Sequence, residues 1–159
     1  MSMNTLGWHL NKDGLSDTLL KDLIEKANVG SVFDGIFPIQ AIPSKLKKKK
    51  SFVIIVNIGY HFVTVYATKD FVYYVDSFGK KPPQTLYSSF LDFCGRPVYF
   101  NSSQVQSKHS THCGLYSCLF TIYFAKKIPN FTLHFEKKKH LLQKNDKKCV
   151  EFLKTLIMK

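Results

Sequence analysis

The sequence has little negative charge, few cysteines and no long apolar run, and each shortage excludes a class of protein. Only 11 of its 159 residues are acidic, against 23 lysines and arginines, which gives a formal net charge of +12. The four cysteines form no CxxC pair and fit no common zinc-binding pattern. The longest apolar stretch, from Leu115 to Ala125, is interrupted by Ser117 and Thr121 and is too short to span a bilayer.

The opening of the chain lacks the pattern of a secretory signal, because residues 1–15 are mixed and partly polar. We therefore expect a soluble, intracellular protein with reduced thiols and no membrane contact. Hydrophobic residues make up 45% of the chain and aromatic residues 14%, which is enough for a packed core. The length suits one compact domain over residues 1–159.

Helical and strand patterns alternate along the chain. Apolar residues at helical spacing predict a helix over residues 17–28, with Ser16 as its N-cap. Stretches rich in Val, Ile, Tyr and Phe predict an antiparallel meander of three strands, at residues 52–57, 60–67 and 71–76. The other predicted elements are an irregular connection at 33–43, an exposed lysine loop at 45–50, a helix at 83–93, a strand at 97–100, a buried helix at 113–126, a strand at 131–135 and a helix at 144–158. The predicted fold class is α+β, with a small mixed or antiparallel sheet flanked by helices.

Cys113 falls where a polar loop, residues 101–112, enters the predicted buried helix. A thiol at that place lies at the positive end of the helix dipole, which favours the nucleophilic thiolate. Gly114 follows and leaves room for a substrate backbone to approach closely. The alternative is a packed core cysteine, which is an interpretation that suits Cys118 on the same helix better.

His61 and Asp76 fall near neighbouring ends of two predicted strands. If the strands pair as a hairpin, the carboxylate can hold one imidazole nitrogen and leave the other nitrogen facing the thiol. The alternatives are a hydrogen-bonded core histidine and a turn aspartate before Ser77. We predict that the remaining histidines are surface residues, and they are His9, His109, His112, His134 and His140.

The sequence around Cys113 resembles the adenovirus protease (adenain) family. A Val-Gln pair at 105–106 precedes Cys-Gly-Leu at 113–115 by the spacing found there, so that Gln106 stands seven positions before Cys113. Residues 73–79 are similar to the strand that ends in the family's acidic residue, and residues 59–61 are similar to its Gly-x-His strand. The resemblance covers residues 30–126, and the order of His, acid, Gln and Cys is also that of the SUMO-specific proteases.

The resemblance implies a cysteine protease with its catalytic cysteine at the start of a buried central helix. It implies that Cys113 is the nucleophile, His61 the base, Asp76 the residue that orients the base, and Gln106 a donor in the oxyanion hole. The backbone N–H of Cys113 is the second expected donor. The sequence requires no cofactor and no metal.

Three features depart from the pattern of the adenovirus enzymes. Phe62 stands where the family often has Trp, and we expect Phe62 and Gly114 to contact substrate in a narrow channel that selects small residues. The acid is Asp76 where the adenovirus enzymes often have Glu. Cys94 lies about one position from the cysteine that links an activating viral peptide, so both a peptide link and an ordinary buried thiol stay open for it.

Basic charge gathers in two clusters, of which the second is residues 137–139. The first consists of Lys45, Lys47, Lys48, Lys49 and Lys50. We predict that the two clusters form a track that binds DNA without sequence preference, with the lysines of the first cluster as the candidate contacts, although two solvated loops are the alternative. The resemblance implies a monomer from a DNA virus or a Polinton-type element, which cleaves capsid and core precursors in the virion and the host nucleus. Activation by DNA or by a viral peptide is part of that expectation.

Two other functions remain as alternatives. One is a protease that removes SUMO-type modifiers, which would share the catalytic residues but need a surface for a folded modifier. The other is a basic core protein without catalysis that binds packaged nucleic acid, which the net charge alone permits.

Overall fold

A mixed sheet of five strands forms the centre of the computed structural model, which describes residues 16–29, 32–108, 110–128 and 135–157. The strands lie side by side in chain order, and they are β1 (Phe33–Pro38), β2 (Phe52–Asn57), β3 (Phe62–Ala67), β4 (Val72–Val75) and β5 (Val98–Phe100). The three longer helices are α1 (Asp17–Lys26), α2 (Cys113–Ala125) and α3 (Leu142–Ile157). The predicted α+β fold class is confirmed. That residues 1–159 form one domain stays a prediction.

Strands β2, β3 and β4 form the predicted antiparallel meander. Gly59 and Tyr60 make the two-residue turn between β2 and β3, and both have positive φ, at 99° and 55°. The backbone N–H of Ile58 donates to the carbonyl of His61 at 2.9 Å, as expected of a tight hairpin turn. The sequence predicts His61 inside this strand, but His61 lies immediately before β3.

The two edge strands run parallel to their neighbours, β1 beside β2 and β5 beside β4. The prediction of an irregular connection at residues 33–43 is wrong for the first half of that range, because residues 33–38 form β1. The strand pattern of β1 is interrupted in the sequence by Gly35, where the register with β2 shifts, and by Pro38 at the exposed end of the strand. A proline is tolerated there because an edge strand leaves one row of N–H groups unpaired.

Apolar side chains cover both faces of the sheet. On one face, Ile55 and Val75 belong to a core cluster that includes residues of α1, α2 and α3. On the other face, Ile54 and Tyr74 pack with residues of the segment 84–94. Neighbouring residues of one strand thus face opposite sides, as strand geometry requires. Helix α2 is buried from residue 114 to residue 123, which places its first residue at the edge of the core.

Helix α1 agrees with the sequence-based prediction, whereas the predicted helix at 83–93 and the predicted lysine loop differ from the observed elements. Ser16 caps α1 by accepting from the backbone N–H of Leu19 at 3.3 Å. The predicted helix at 83–93 is three consecutive turns of different pitch, Gln84–Leu86, Tyr87–Leu91 and Asp92–Cys94. The predicted lysine loop is instead a 3-10 helix, Ser44–Lys48, because Leu46 is buried and anchors it. The predicted strand at 131–135 lies outside the described residues except for its last position.

Candidate active site

Cys113 is the first residue of α2, preceded by His112 at the N-cap position. The residue is partly exposed and lines a surface cleft of about 560 Å³. His61 and Gln106 line the same cleft, so the predicted nucleophile, base and oxyanion donor share one space. The arrangement places a thiol against the positive end of a buried helix, where a thiolate is favoured.

His61 is joined to Asp76 by a hydrogen bond of 2.7 Å between Nε2 and Oδ1. The two residues meet because β3 and β4 pair with Thr64 opposite Val75, which brings the start of one strand beside the end of the other. The other ring nitrogen is left for the thiol of Cys113, which lies close enough to His61 for each of the two groups to shift the pKa of the other. The structure thus brings all three predicted residues into one chain of contacts.

Two residues that the sequence did not single out hold this pair in place. The ring of Phe78 stacks on the ring of His61 with centroids 4.9 Å apart and an interplanar angle of 25°. Asn101 binds the backbone of Asp76 on both sides, accepting from its N–H at 2.8 Å and donating to its carbonyl at 2.7 Å. The carboxylate of Asp76 also accepts from the backbone N–H of Phe78 at 2.8 Å, and Asp76 is 1% exposed.

Protonation of the site follows from these contacts. Burial lowers the pKa of His61, but its hydrogen bonds to Asp76 and Cys113 and their negative charges raise the pKa to about 9. Burial raises the pKa of the Cys113 thiol, yet the hydrogen bonds from His61 and from the backbone N–H groups of Phe62 and Gly114 leave it below its ordinary value. Together the two shifts favour a thiolate–imidazolium pair.

Gln106 is fully buried, with its side chain fixed at both ends of the amide. Its Nε2 donates to the carbonyl of Ser110 at 2.8 Å, and its Oε1 accepts from the hydroxyl of Ser77. A backbone carbonyl can only accept, so this contact sets which end of the amide is NH₂. The second Nε2 hydrogen is then the one that can serve an oxyanion in the cleft.

The loop that carries Gln106 crosses closely over the turn after Asp76. Gly79 has φ of +68°, and a Cβ there would lie 2.7 Å from the backbone carbon of Ser103 and 2.8 Å from the nitrogen of Gln104. Only glycine fits both the conformation and the space. The turn and the loop can therefore approach each other, which brings the acid and the amide to one site.

Phe62 and Gly114 both line the cleft, as expected of substrate contacts. Gly114 is also buried against α1, because a Cβ there would lie 3.0 Å from Cδ2 of Leu20 and 3.5 Å from Cδ2 of Phe62. The space that the missing side chain leaves is therefore used by the core as well as by the cleft. Their contact with substrate stays a prediction.

The lysine cluster lies partly in local contacts. Lys49 forms an ion pair with Asp34, and Lys47 lies 4.8 Å from the ring centroid of Phe93. Arg96 donates to four carbonyls of residues 47, 49, 50 and 68, which holds the backbone of the cluster in place. The side chains of Lys45, Lys48 and Lys50 are exposed. DNA binding by these lysines stays a prediction.

Cys94 is buried, with 8% of its surface exposed, and burial raises the pKa of its thiol. Both properties disfavour a disulfide link to a peptide. Of the other histidines, His140 is exposed as expected, whereas His112 is half-buried at the start of α2. His9, His109 and His134 lie outside the described residues. Within the described ranges, no group of three or more His, Cys, Asp or Glu side chains could hold a metal ion, and no helix is long and apolar enough to cross a membrane.

Solved structures of proteases share this architecture, although no family model and no curated protein matches the chain. The ASFV pS273R protease has a TM-score of 0.61 and 14% identity over 92% of this chain and 68% of that chain. The SUMO protease Ulp1, with its catalytic cysteine oxidised to a sulfinic acid, gives 0.55 and 14% over 99% and 85%. A de-sumoylating protease gives 0.54 and 17% over 99% and 86%. The chain has the fold of Ulp1-type cysteine proteases. The closer likeness to the adenovirus enzymes stays a prediction.

Proposed function

We propose that this chain is a cysteine endopeptidase that cleaves peptide bonds by acyl transfer. The observation that carries the proposal is the contact chain from Cys113 through His61 to Asp76, which opens on a cleft at the start of a buried helix. The fold, shared with proteases, supports it. In this assignment Cys113 is the nucleophile, His61 the acid–base group, Asp76 the residue that orients it, and Gln106 a donor to the oxyanion.

In the first half of the reaction, the Cys113 thiolate attacks the carbonyl carbon of the scissile bond. The carbonyl oxygen becomes an oxyanion, which the free Nε2 hydrogen of Gln106 and the backbone N–H of Cys113 stabilise. Removing one such donor typically costs on the order of a hundredfold in rate. Protonated His61 then gives its proton to the leaving amine. The C-terminal part of the peptide departs, and the N-terminal part stays on Cys113 as a thioester.

In the second half, water takes the place of the leaving amine. Neutral His61 removes a proton from the water, which attacks the thioester carbon and passes through a second oxyanion. Collapse of that intermediate breaks the carbon–sulfur bond and restores the thiolate beside the imidazolium. The carboxylic acid product leaves and loses its proton to solvent. Asp76 stays ionised in both halves and holds the ring in the orientation that serves both proton transfers.

The proposed substrates are precursor polypeptides of a DNA virus or virus-like element, cleaved during particle maturation. This part rests on the adenain-like spacing of Gln106 and Cys113 and on the excess of lysine, which suits work beside packaged DNA. Phe62 is proposed to wall the channel next to the scissile bond, so that small residues such as glycine are preferred there. Activation by DNA or by a viral peptide belongs to the same proposal, without a link through Cys94.

A modifier protease is the second candidate, because two of the similar structures are described as a SUMO protease and a de-sumoylating protease. The two candidates differ in what they need outside the cleft, since a modifier protease must also bind a folded domain. Cleavage of SUMO-type conjugates compared with peptides of the Gly-x-Gly type separates them. Preference for the folded conjugate would support the second candidate.

A peptide-library cleavage profile, run with and without DNA, tests the proposal. We expect cleavage by the wild type, none by Cys113→Ala, and a preference for small residues beside the scissile bond. Equal cleavage by the wild type and Cys113→Ala would reject Cys113 as the nucleophile, and no cleavage by the wild type would leave the basic core protein as the better interpretation.

A further inference from the structure

Two polar residues near the start of α3 lie on the buried face of this amphipathic helix, which normally carries apolar side chains. Asn145 is 0% exposed and Asp146 is 9% exposed. Buried amides and carboxylates destabilise a fold unless hydrogen bonds satisfy them, so their partners identify what they do. All of their partners lie outside α3, and most belong to the segment on either side of Gln106 or to α2.

Asp146 binds the residue that follows Gln106. Its Oδ2 accepts from the hydroxyl of Ser107 at 2.6 Å, and its Oδ1 accepts from the backbone N–H of Ser107 at 3.3 Å. The same Oδ1 accepts from the phenol of Tyr116 on α2 at 2.7 Å. The carboxylate thus joins the Gln106 segment to α2, which is the helix that begins with Cys113.

Asn145 binds the residue that precedes Gln106. Its Nδ2 donates to the carbonyl of Val105 at 2.9 Å. The rest of its amide is fixed by Glu136, whose carbonyl accepts at 2.8 Å and whose N–H donates to Oδ1 at 2.7 Å. Both neighbours of Gln106 are therefore tied to consecutive residues of α3.

The opposite side of the segment is held by Ser77, in the turn that follows β4. The carbonyl of Ser77 accepts from the backbone N–H groups of Val105 and Gln106, at 2.8 Å and 3.0 Å. The hydroxyl of Ser77 fixes the Gln106 amide as well. Residues 105–107 are consequently clamped between Ser77 and the pair Asn145–Asp146.

We propose that Asp146, assisted by Asn145, is a positioning residue that sets where the Gln106 amide stands relative to Cys113. The inference rests on the proposed function of Gln106 as an oxyanion donor. Such a donor acts only when it lies about 2.7–3.1 Å from the place where the oxyanion forms. A displacement of about 1 Å costs up to about a hundredfold in rate, so the clamp matters for catalysis and not only for stability.

Two reactions of the Cys113 thiol distinguish a misplaced Gln106 amide from a general loss of structure at the site. Peptide hydrolysis passes through an oxyanion, whereas alkylation by iodoacetamide forms a carbon–sulfur bond at a saturated carbon, releases iodide and generates no oxyanion. For Asp146→Ala we expect kcat for hydrolysis to fall by about tenfold or more, with KM nearly unchanged. The rate of alkylation of Cys113 should stay at the wild-type value. An equal fall in both rates would overturn the proposal.

Asp146→Asn tests the geometry with a variant that keeps the shape of the side chain. Its amide oxygen can still accept from Tyr116 and from the N–H of Ser107, while the Ser107 hydroxyl can accept from the amide NH₂. We expect this variant to recover most of the kcat that Asp146→Ala loses. Recovery no better than that of Asp146→Ala would contradict a positioning role.

Leu153→Ala is the matched control on the same helix. Leu153 is fully buried two turns beyond Asp146, and it makes none of the hydrogen bonds to residues 105–107. This variant destabilises α3 but should leave kcat unchanged at a temperature where it is folded. In a Gln106→Ala background, Asp146→Ala should cause little further loss of kcat, since the donor that it positions is gone. Full additivity would overturn the proposal.

A readout without turnover keeps this inference separate from the proposed function. In ¹H–¹⁵N spectra, Asp146→Ala should shift and broaden the side-chain amide signals of Gln106, whereas Leu153→Ala should leave them in place. Unchanged Gln106 signals in Asp146→Ala would overturn the positioning role even if the chain is a protease. Shifted Gln106 signals in Asp146→Ala, together with a wild type that lacks peptidase activity, would instead reject only the proposed function.

Discussion

The imidazole of His61 lies between Asp76, which its Nε2 contacts at 2.7 Å, and the thiol of Cys113. This position makes the ring's charge depend on both neighbours. The site is therefore most sensitive to substitutions and to pH changes that alter one of these two contacts.

The pH dependence of kcat/KM should reflect the thiolate–imidazolium pair. His61 keeps its proton up to about pH 9, so activity should fall above that pH as the imidazolium is lost. It should also fall in acid, as the thiolate of Cys113 takes up a proton below its lowered pKa. A pH–rate profile measures both limbs.

Asp76→Asn should move the alkaline limb to lower pH by about one unit or more, because the carboxylate raises the pKa of His61. Asp70→Asn is the control, since Asp70 is an exposed turn residue before β4. An alkaline limb that stays in place in Asp76→Asn would show that another group controls it.

Gly79→Ala should lower the free energy of unfolding more than Gly95→Ala does, although both glycines have φ of +68°. A methyl group at residue 95 meets nothing within 4 Å and costs only the left-handed conformation, about 1–2 kcal/mol. At residue 79 it would also press on the backbone of residues 102–104, which adds about 1–3 kcal/mol. Urea unfolding measures the free energies of unfolding.

The same pair of variants tests whether the close crossing of loop and turn serves the site. Gly79→Ala should lower kcat, because the displaced loop carries Gln106, whereas Gly95→Ala should keep it. Equal stability and equal kcat in the two variants would mean that the loop and the turn are not in close contact at Gly79.

The cysteines should differ widely in their reaction with iodoacetamide at neutral pH. Cys113 is partly exposed and its thiol has a lowered pKa. Burial raises the thiol pKa of the other three cysteines, which are Cys94, Cys118 and Cys149. Thiolate character and access both control alkylation, so Cys113 should be modified first. Peptide mapping by mass spectrometry identifies the modified residue. Faster modification of any of the other three would contradict the electrostatic account.

Replacing Lys45, Lys48 and Lys50 with Gln should weaken binding to duplex DNA and reduce its salt dependence. Each lost phosphate contact lowers the slope of log K against log salt by about 0.9, so the slope should fall by about two to three. The matched control replaces the exposed lysines 137–139, which removes the same charge elsewhere. An equal effect of both triple variants would contradict a particular role of the first cluster in DNA binding.

The meander and the buried helix α2 could be predicted because each has a clear pattern within one stretch of chain. Strand β1 could not, since Gly35 and Pro38 interrupt its pattern and only the pairing with β2 makes it a strand. The start of β3 was misplaced by two residues for a similar reason, because the turn at Gly59 and Tyr60 extends to His61.

The candidate site could be found from the sequence where its residues carry a recognisable spacing, as Gln106 and Cys113 do. The residues that support it have no such signal. Asn101 lies 25 positions from Asp76, and Asp146 lies 39 positions from Ser107, so only the fold brings each pair together. Phe78 was visible within the motif at 73–79, but its stacking on His61 depends on the turn that follows β4.

The formation of a thioester on Cys113 is the most direct test of the account. Intact-protein and peptide mass spectrometry, after brief mixing with an activated peptide ester, detects the acyl group and its position. We predict one acyl group on Cys113 in the wild type, slower loss of that group in His61→Ala, and none in Cys113→Ala. An acyl group on another residue, or turnover by Cys113→Ala at the wild-type rate, would contradict it.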